Sequence, residues 1–432
     1  MMRIQPATDG LSASAPVLTA EAPQPQSTST SLFLRLTAMM LLEFLVPGSW
    51  FATFGLVLAT YKMATVIGTA YSLAAVAAIV SPMFLGALAD RFVSSQKALA
   101  TAHLIGGVLM LCLVPVVRSG DAALTLLLLF AYNVFYQPTV GLATSITFRH
   151  LGENRRVFPY IRVFGTVGWV IAGFGVGLLG LSSSVGMFYV AAIASFVYGV
   201  YAFTLPATPP PARGVRFSFG DVVGAKAFVL FRNRNYTVLM ICALLTGISL
   251  GVYNSYASPF LGALGMHSVA SLLAIGQASE VLFIVSIPFV LKHIGMKWGL
   301  LLGMITWAVR LSVFVAAIDG HNWLTIVGIA LQGICNDFCL VLAALYIGRV
   351  APVEVSAQAQ NMLVLVISGF GALIGSYVAG QVYNSTVAVH AASDTSTWTG
   401  LWIMPIVSAL IAAVLWARMF REPRDREPAI AQ

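Results

Sequence analysis

The stretch LLAIGQASEVLFIVSIPFVL, residues 272–291, decides the fold class of this protein. An α-helix needs about 20 mostly apolar residues to cross a bilayer, and this stretch has that length. It nevertheless carries Glu280 near its centre. Because an acidic side chain inside a membrane span costs a few kcal/mol, we expect a membrane helix whose carboxyl group has a function.

Eleven further apolar runs of similar length accompany this stretch. Of the 432 residues, 59% are hydrophobic and only 9% are charged, whereas an average soluble domain has roughly 25% charged residues. Backbone polar groups in lipid must be bonded internally, and continuous runs of this length are too long for barrel strands. We therefore predict an all-α integral membrane protein with twelve transmembrane helices, near residues 33–58, 63–89, 97–117, 121–148, 159–182, 185–205, 235–264, 268–292, 297–318, 322–348, 357–384 and 397–420.

The basic residues are distributed unevenly between the two sides of the predicted membrane. Of 23 Lys and Arg residues, Lys62 and Arg118 fall on one side, Arg162 and Arg310 fall inside helices, and the remaining nineteen fall on the side of the N-terminus. This asymmetry follows the positive-inside rule, which places both termini in the cytoplasm. The formal net charge of +8 therefore requires no nucleic-acid partner.

Composition divides the chain into five segments. The first is rich in Ser, Thr, Pro and Ala and lacks the basic region and short apolar core of a signal peptide, so we expect it to be disordered. A Pro-rich and then basic stretch between the sixth and seventh helices is expected to be a linker, part of which could lie on the membrane surface. The segments are a cytoplasmic N-terminus (1–31), an N-terminal six-helix bundle (32–205), a cytoplasmic linker (206–234), a C-terminal six-helix bundle (235–420) and a cytoplasmic tail (421–432).

The two halves carry a weak parallel repeat. Matching glycine-rich spans occur in the fifth helix, GTVGWVIAGFGVGLLG, and in the eleventh, SGFGALIGSYVAG. Each has glycines four residues apart, namely Gly173 and Gly177 in the first and Gly371 and Gly375 in the second. Most motifs of this kind only allow close helix packing. Their occurrence at the same place in both halves indicates two pseudo-symmetric bundles.

The motif GALADR, residues 86–91, resembles the loop between the second and third helices of the major facilitator superfamily. Parallel six-helix repeats around a midplane site are the arrangement of that superfamily. The resemblance implies that Gly86, Asp90 and Arg91 belong to a cytoplasmic gate, in which the two charged residues pair with neighbouring helix ends. It implies the fold but leaves the substrate open.

Several stretches together resemble the bacterial nucleoside:proton symporter family. They include PGSWFATFG (47–55), FPYIRVFGTVGW (158–169), GQASEVLFIVSIPF (276–289) and the Asp337-Phe338 pair. The resemblance extends from about residue 38 to residue 420. It implies that substrate or proton contacts are made by Arg162, Thr166, Trp169, Asn254, Gln277, Glu280 and Asp337.

The chain departs from that family's pattern at four positions. Gly251 and Glu43 each stand where a glutamine is expected, Asn336 replaces an aromatic residue, and Pro47 replaces a tryptophan. One amide contact and one stacking surface are therefore expected to be absent, which leaves the preferred nucleoside open.

The spacing of three residues in the fifth helix has a physical meaning of its own. Arg162, Thr166 and Trp169 are spaced i, i+4, i+7 and so share one helix face. A cation, a hydroxyl and an indole on one stripe suit a ribosyl ligand. The alternative is that Arg162 extends to the aqueous boundary and Trp169 packs against lipid or a neighbouring helix.

Two acids are candidates for proton coupling. Gln277 and Glu280 are three residues apart and share a face, where they could hold hydroxyl or amide groups of a solute. Asp337 lies equally deep in the tenth helix, and Arg310 in the ninth is its possible charge partner. We expect either Glu280 or Asp337 to take up the driving proton while the other mainly binds substrate. A permanently protonated or paired Glu280 is the structural alternative.

Two further polar residues lie within apolar runs. Asn254 in the seventh helix needs a hydrogen-bond partner, which is either the solute or another helix. Glu43 in the first helix either faces the cavity as a second proton site or points to the cytoplasmic mouth.

The apolar runs and buried acids predict a multi-pass membrane transporter, and the family resemblance implies that it imports nucleosides by proton symport across the bacterial inner membrane. The chain lacks a phosphate-binding GxxxxGK[ST] motif, and Cys112, Cys242, Cys335 and Cys339 lie in apolar runs, so we expect no enzyme activity, cofactor or metal. We expect a monomer, as in the superfamily. A proton-driven drug or sugar transporter, or exporter, and a non-transporting sensor remain as alternatives.

Overall fold

The computed structural model describes residues 29–82, 92–152, 154–210, 225–390 and 394–421. In these ranges it contains helices and no strand, and twelve helical spans are long and apolar enough to cross a membrane. The predicted all-α membrane fold is therefore confirmed. We label the spans α1 to α12 in chain order: Thr30–Gly48, Ala64–Ser81, Ser95–Ser119, Ala122–Leu151, Arg155–Leu178, Gly186–Thr204, Arg234–Ala263, Val269–His293, Gly295–Ala317, Trp323–Val350, Glu354–Thr386 and Thr395–Met419.

Four of the predictions fall wholly or partly outside the described residues. They concern the disordered N-terminus, the gate residues Gly86, Asp90 and Arg91, the middle of the linker, and the cytoplasmic tail. The described end of the linker, Ala225–Arg232, forms a 3-10 helix. The domain boundaries and the gate therefore stay predictions.

The first helix is shorter than the predicted run 33–58. It ends at Gly48, and a separate helix, Phe54–Thr60, follows after a turn. Pro47 causes the break, because it has no N–H to donate to the carbonyl one turn earlier. The Ser49 hydroxyl then bonds the Leu45 carbonyl at 2.7 Å. This turn directs the residues after Gly48 towards the other half of the molecule.

Two later spans contain wide, π-type turns. These are Asp337–Val341 in α10 and Leu365–Gly371 in α11. Such turns often occur at functional sites, since the extra residue changes the direction of the side chains around it. Asp337 is the first residue of one of them, so the residues that follow it leave the regular helical spacing.

The outer surface of the bundle is apolar. Leu178, Val285 and Leu282 are 81%, 75% and 69% exposed, which would be unfavourable in water but suits a lipid environment. The core instead contains closely packed aromatic rings, such as Trp402 against Phe260 with 5.3 Å between ring centroids.

The two halves contact each other at the end of the bundle where α1 finishes. In α5, an added Cβ at Gly173 would lie 2.9 Å from the Ala274 Cβ of α8, and one at Gly177 would collide with Ser271. The pseudo-symmetric contact joins α2 to α11, where Gly68 meets Gly380. Hydrogen bonds join the halves at the same end, for example from the Ala270 N–H to the Ser182 hydroxyl at 3.1 Å.

The glycine pair of α11 has a different partner from the pair of α5. Gly371 packs on Gly247 and Gly375 packs on the Ile248 backbone, both in α7 of the same half. Equivalent motifs therefore serve different contacts, one between the halves and one within a half.

A test of the contact between the halves compares two glycines in one helix. We expect Gly177→Ala to lower the free energy of unfolding by about 1–3 kcal/mol through overpacking, since its Cβ would meet the Ser271 backbone. Gly175→Ala is the control, because no atom lies within 4 Å of a Cβ there. Thermal unfolding of the detergent-purified variants measures the difference, and equal melting temperatures would contradict the packing.

Candidate substrate site

A cavity of about 230 Å³ lies between the two halves. The N-terminal half contributes residues of α1, α5 and the turn after α1, and the C-terminal half contributes residues of α7, α8 and α10. The lining is formed by Phe44, Phe51, Arg162, Thr166, Trp169, Leu250, Tyr253, Asn254, Gln277, Glu280, Gln332 and Asn336. The structure thus brings together Arg162, Thr166, Trp169, Asn254, Gln277 and Glu280, six of the seven proposed substrate contacts.

On the N-terminal side, the face of α5 that carries Arg162, Thr166 and Trp169 packs against aromatic residues of α1 and of the turn after it. The Arg162 guanidinium lies over the Phe44 ring at 4.2 Å, which is a cation–π contact. Trp169 meets Phe51 edge to face, with 6.1 Å between the ring centroids. Phe44 and Phe51 were not predicted from the sequence to line the cavity. Their spacing of seven residues, on either side of Pro47, could have indicated that both rings lie on one side of the first helix. Arg162 therefore faces the cavity and does not only extend to the boundary.

On the C-terminal side, Glu280 accepts hydrogen bonds from three side-chain amides. Its Oε1 atom accepts from Gln277 at 3.3 Å, from Gln332 at 3.0 Å and from Asn336 at 2.6 Å. Amide N–H groups can only donate to this oxygen, so the arrangement suits a carboxylate. No described residue donates to Oε2, which leaves this atom for another partner.

Gln332 connects Glu280 to a buried cation. Its Oε1 accepts a hydrogen bond from Arg310 Nη2 at 2.9 Å, while its amide donates to Glu280. Arg310 is 0% exposed, and its guanidinium lies 3.6 Å from the centroid of the Tyr253 ring and 5.1 Å from that of Trp307. An amide is both donor and acceptor, so Gln332 can act as a relay that bonds the anionic and the cationic side chain at once, although these two side chains do not touch each other.

Arg310 was a possible charge partner of Asp337, but the described residues contain no ion pair between these two side chains. The Arg310 guanidinium instead donates to Gln332. Asp337 is 6% exposed, and its Oδ2 has no hydrogen-bond partner among the described residues. It does not line the cavity.

Two departures from the expected family pattern have visible consequences. Asn336, in place of an aromatic residue, gives the shortest of the three bonds to Glu280. Gly251 packs directly on the Ala372 backbone of α11, where any larger side chain would collide. The missing glutamine therefore has no room here, and Gln332 supplies an amide that was not predicted.

A sequence model described as "Nucleoside H+ symporter" matches residues 30–425. The chain belongs to this family. It is 34% identical to the putative nucleoside transporter YegT of Escherichia coli, over 92% of this chain and 95% of that protein. It is 29% identical to the xanthosine permease of the same organism, over 92% and 98%. The resemblance stated from the sequence is therefore confirmed.

The fold also matches a solved structure of this kind. The crystal structure of the nucleoside transporter NupG superimposes with a TM-score of 0.79 at 26% identity, covering 91% of this chain and 100% of that one. This similarity confirms the major facilitator fold with its two six-helix bundles. Since the related proteins are transporters and permeases, the chain is a transporter and not an enzyme.

The role of Arg310 can be tested by a substitution that keeps its charge. We expect Arg310→Lys to lower the free energy of unfolding by about 1–3 kcal/mol, because a lysine loses the ring stack and the planar bond to Gln332. Arg349→Lys is the control, since this arginine is exposed in the last turn of α10, and we expect a change of about 0.5 kcal/mol or less. Melting temperatures of the two variants check the difference, and equal losses would contradict the relay.

Proposed function

We propose that the protein imports nucleosides together with protons across the bacterial inner membrane, by alternating access about the cavity between its halves. Family membership and the nucleoside-related names of its relatives support the substrate and the coupling. The single observation that carries the proposal is Glu280, a carboxyl group held by amides in a cavity that both halves line.

The chemistry of the lining suits one nucleoside. Phe51, Trp169 and Tyr253 offer aromatic faces and edges for a base. Arg162, Thr166, Asn254, Gln277 and the free Oε2 of Glu280 offer donors and acceptors for ribose hydroxyls and the polar base edge. The cavity is smaller than a typical drug-sized pocket of roughly 300–1,000 Å³, which agrees with a small solute.

We assign different roles to Glu280 and Asp337. Three N–H donors stabilise an ionised Glu280, so this group suits substrate binding. Asp337 is buried with an unbonded oxygen, and its uncompensated charge would be costly, so a proton there is favourable. We propose that Asp337 carries the driving proton and that the charge on Glu280 responds to it from the neighbouring helix.

The contacts between the halves support an inward-facing state. The halves meet at the end of the bundle opposite the start of α1, and the positive-inside rule places the start of α1 in the cytoplasm. The cavity would then open to the cytoplasm, where an imported nucleoside is released. Since both sides of the cavity come from one chain, we propose that a monomer is the transport unit.

Uptake into proteoliposomes with an imposed pH gradient tests the coupling. We expect Asp337→Asn to abolish concentrative uptake of radiolabelled uridine and adenosine while retaining exchange of nucleoside between the two sides, because exchange needs no net proton transfer. We expect Glu280→Gln to lose both activities, at least about tenfold, because a substrate contact is changed.

Two outcomes would contradict this scheme. Acid-stimulated concentrative uptake in both neutral variants would remove these acids from the coupling. Gradient-driven movement of sugars or drugs, without nucleosides, would replace the substrate class, and an absence of any solute movement would favour a sensor.

A second test measures binding alone. We expect uridine or adenosine to raise the melting temperature of the purified protein, since a ligand that binds only the folded state stabilises it by about 2.7 kcal/mol at a hundredfold excess over Kd. Glucose is the control and should produce no shift. A shift with glucose but not with nucleosides would contradict the proposed substrate.

A further inference from the structure

A second acid lies in the N-terminal half, away from the cavity. Glu43 of α1 is 0% exposed and His103 of α3 is 2% exposed. The Glu43 Oε2 and His103 Nε2 atoms face each other at 3.4 Å, and neither has another hydrogen-bond partner. A neutral His103 that has its proton on Nε2 can donate it to Oε2, which satisfies both atoms. The pair is then electrically neutral, as its burial favours, when Glu43 carries a proton on its other oxygen.

The other oxygen of Glu43 gives independent evidence for a proton. The Thr139 hydroxyl of α4 lies 2.6 Å from Glu43 Oε1 and also 2.6 Å from the Tyr136 carbonyl oxygen. A hydroxyl has only one proton to donate, and the carbonyl can only accept. Both short contacts are hydrogen bonds when Glu43 carries a proton and donates to Thr139, which in turn donates to Tyr136.

The surroundings of the pair are polar, and among the described residues one other charged group lies nearby. The His103 ring lies on the Tyr198 ring of α6, with 4.3 Å between the centroids. The described polar groups near Glu43 are His103 on α3, Tyr132, Tyr136 and Thr139 on α4, Arg162 on α5 and Tyr198 on α6. The protonation state of the pair therefore acts mainly on Arg162.

The route from the pair to the cavity is short. Phe44 follows Glu43 in α1, and the Arg162 guanidinium stacks on the Phe44 ring. The first and fifth spans are tightly packed, since Gly165 meets Phe44 and Gly168 meets the Leu41 backbone. A negative charge on an unprotonated pair would attract Arg162 towards α1 and away from a solute. A neutral pair leaves the guanidinium available to the cavity.

We propose that Glu43 and His103 form a second proton-binding site, and that a proton held there increases the affinity of the cavity for its nucleoside. This inference rests on the proposed function and adds to it a site in the opposite half from Asp337. Because linkage is reciprocal, a nucleoside bound beside Arg162 would also increase the proton affinity of the pair.

The decisive measurement is nucleoside affinity at equilibrium, without a proton gradient. Uridine and adenosine Kd values are determined at pH 6 and pH 8 for protein in nanodiscs. The quantity compared is the Kd at pH 8 divided by the Kd at pH 6. We expect this ratio to be smaller in Glu43→Gln than in the wild type, by a factor of about five or more. The glutamine amide can donate to Thr139 as a protonated acid does, so tight binding should persist at pH 8. We expect the same loss of pH dependence in His103→Gln.

Matched controls separate this effect from the loss of any histidine or acid. His150→Gln removes a histidine of the same half that bonds Thr208, and Glu354→Gln removes an exposed acid in the first turn of α11. Both should retain the wild-type ratio. If either single variant fails to fold, the double variant Glu43→Gln/His103→Gln, in which amides can bond each other, takes its place. A wild-type ratio in folded Glu43 and His103 variants would overturn the proposal.

The test also distinguishes failure of the site from failure of the proposed function. If the wild type binds no nucleoside at any pH, the proposed function is wrong, and the pair is judged by thermal stability without ligand. The melting temperatures of the wild type and the double variant are measured from pH 5 to pH 8, and a pair that exchanges a proton makes their difference depend on pH. Parallel curves for the two proteins would show that the pair binds no proton in this range.

Discussion

A charge that is removed from water must be given a partner, and the C-terminal half is arranged around this constraint. Glu280 and Arg310 have opposite charges and lie on helices that do not bring them into contact, so Gln332 bonds both. The bonds from Gln277 and Asn336 complete the set of donors to Glu280. Because each bond has a short range, α8, α9 and α10 must keep one register, and that register shapes one wall of the cavity.

The opposite constraint applies between the halves, which must hold together at one end and still be able to separate. Lipid offers no hydrophobic driving force for helix association. The contacts at Gly68, Gly173 and Gly177 instead allow backbones to approach until van der Waals contact and weak hydrogen bonds suffice. Large interdigitating side chains would lock such an interface, whereas small residues can part without repacking a core.

The sequence predicted the fold because twelve long apolar runs allow few alternatives, and the face shared by Arg162, Thr166 and Trp169 followed from helical spacing. It did not predict Gln332, His103 or Phe44, since their roles depend on how separate helices align and no periodicity records this. The possible pairing of Arg310 with Asp337 is absent from the described residues for the same reason, since Gln332 accepts the hydrogen bond from the guanidinium.

The two glutamates show that the partners of an acid, and not its depth, determine what it can do. Glu280 meets N–H groups, which donate to a carboxylate and so favour the charged form beside a polar solute. Glu43 meets a hydroxyl whose single proton has two acceptors within reach, so both contacts are hydrogen bonds only when this acid itself donates. The N–H donors around Glu280 suit an acceptor beside a substrate hydroxyl. Phe44 and Arg162 bring the two environments together, because the cation that faces the cavity also stacks on the neighbour of Glu43.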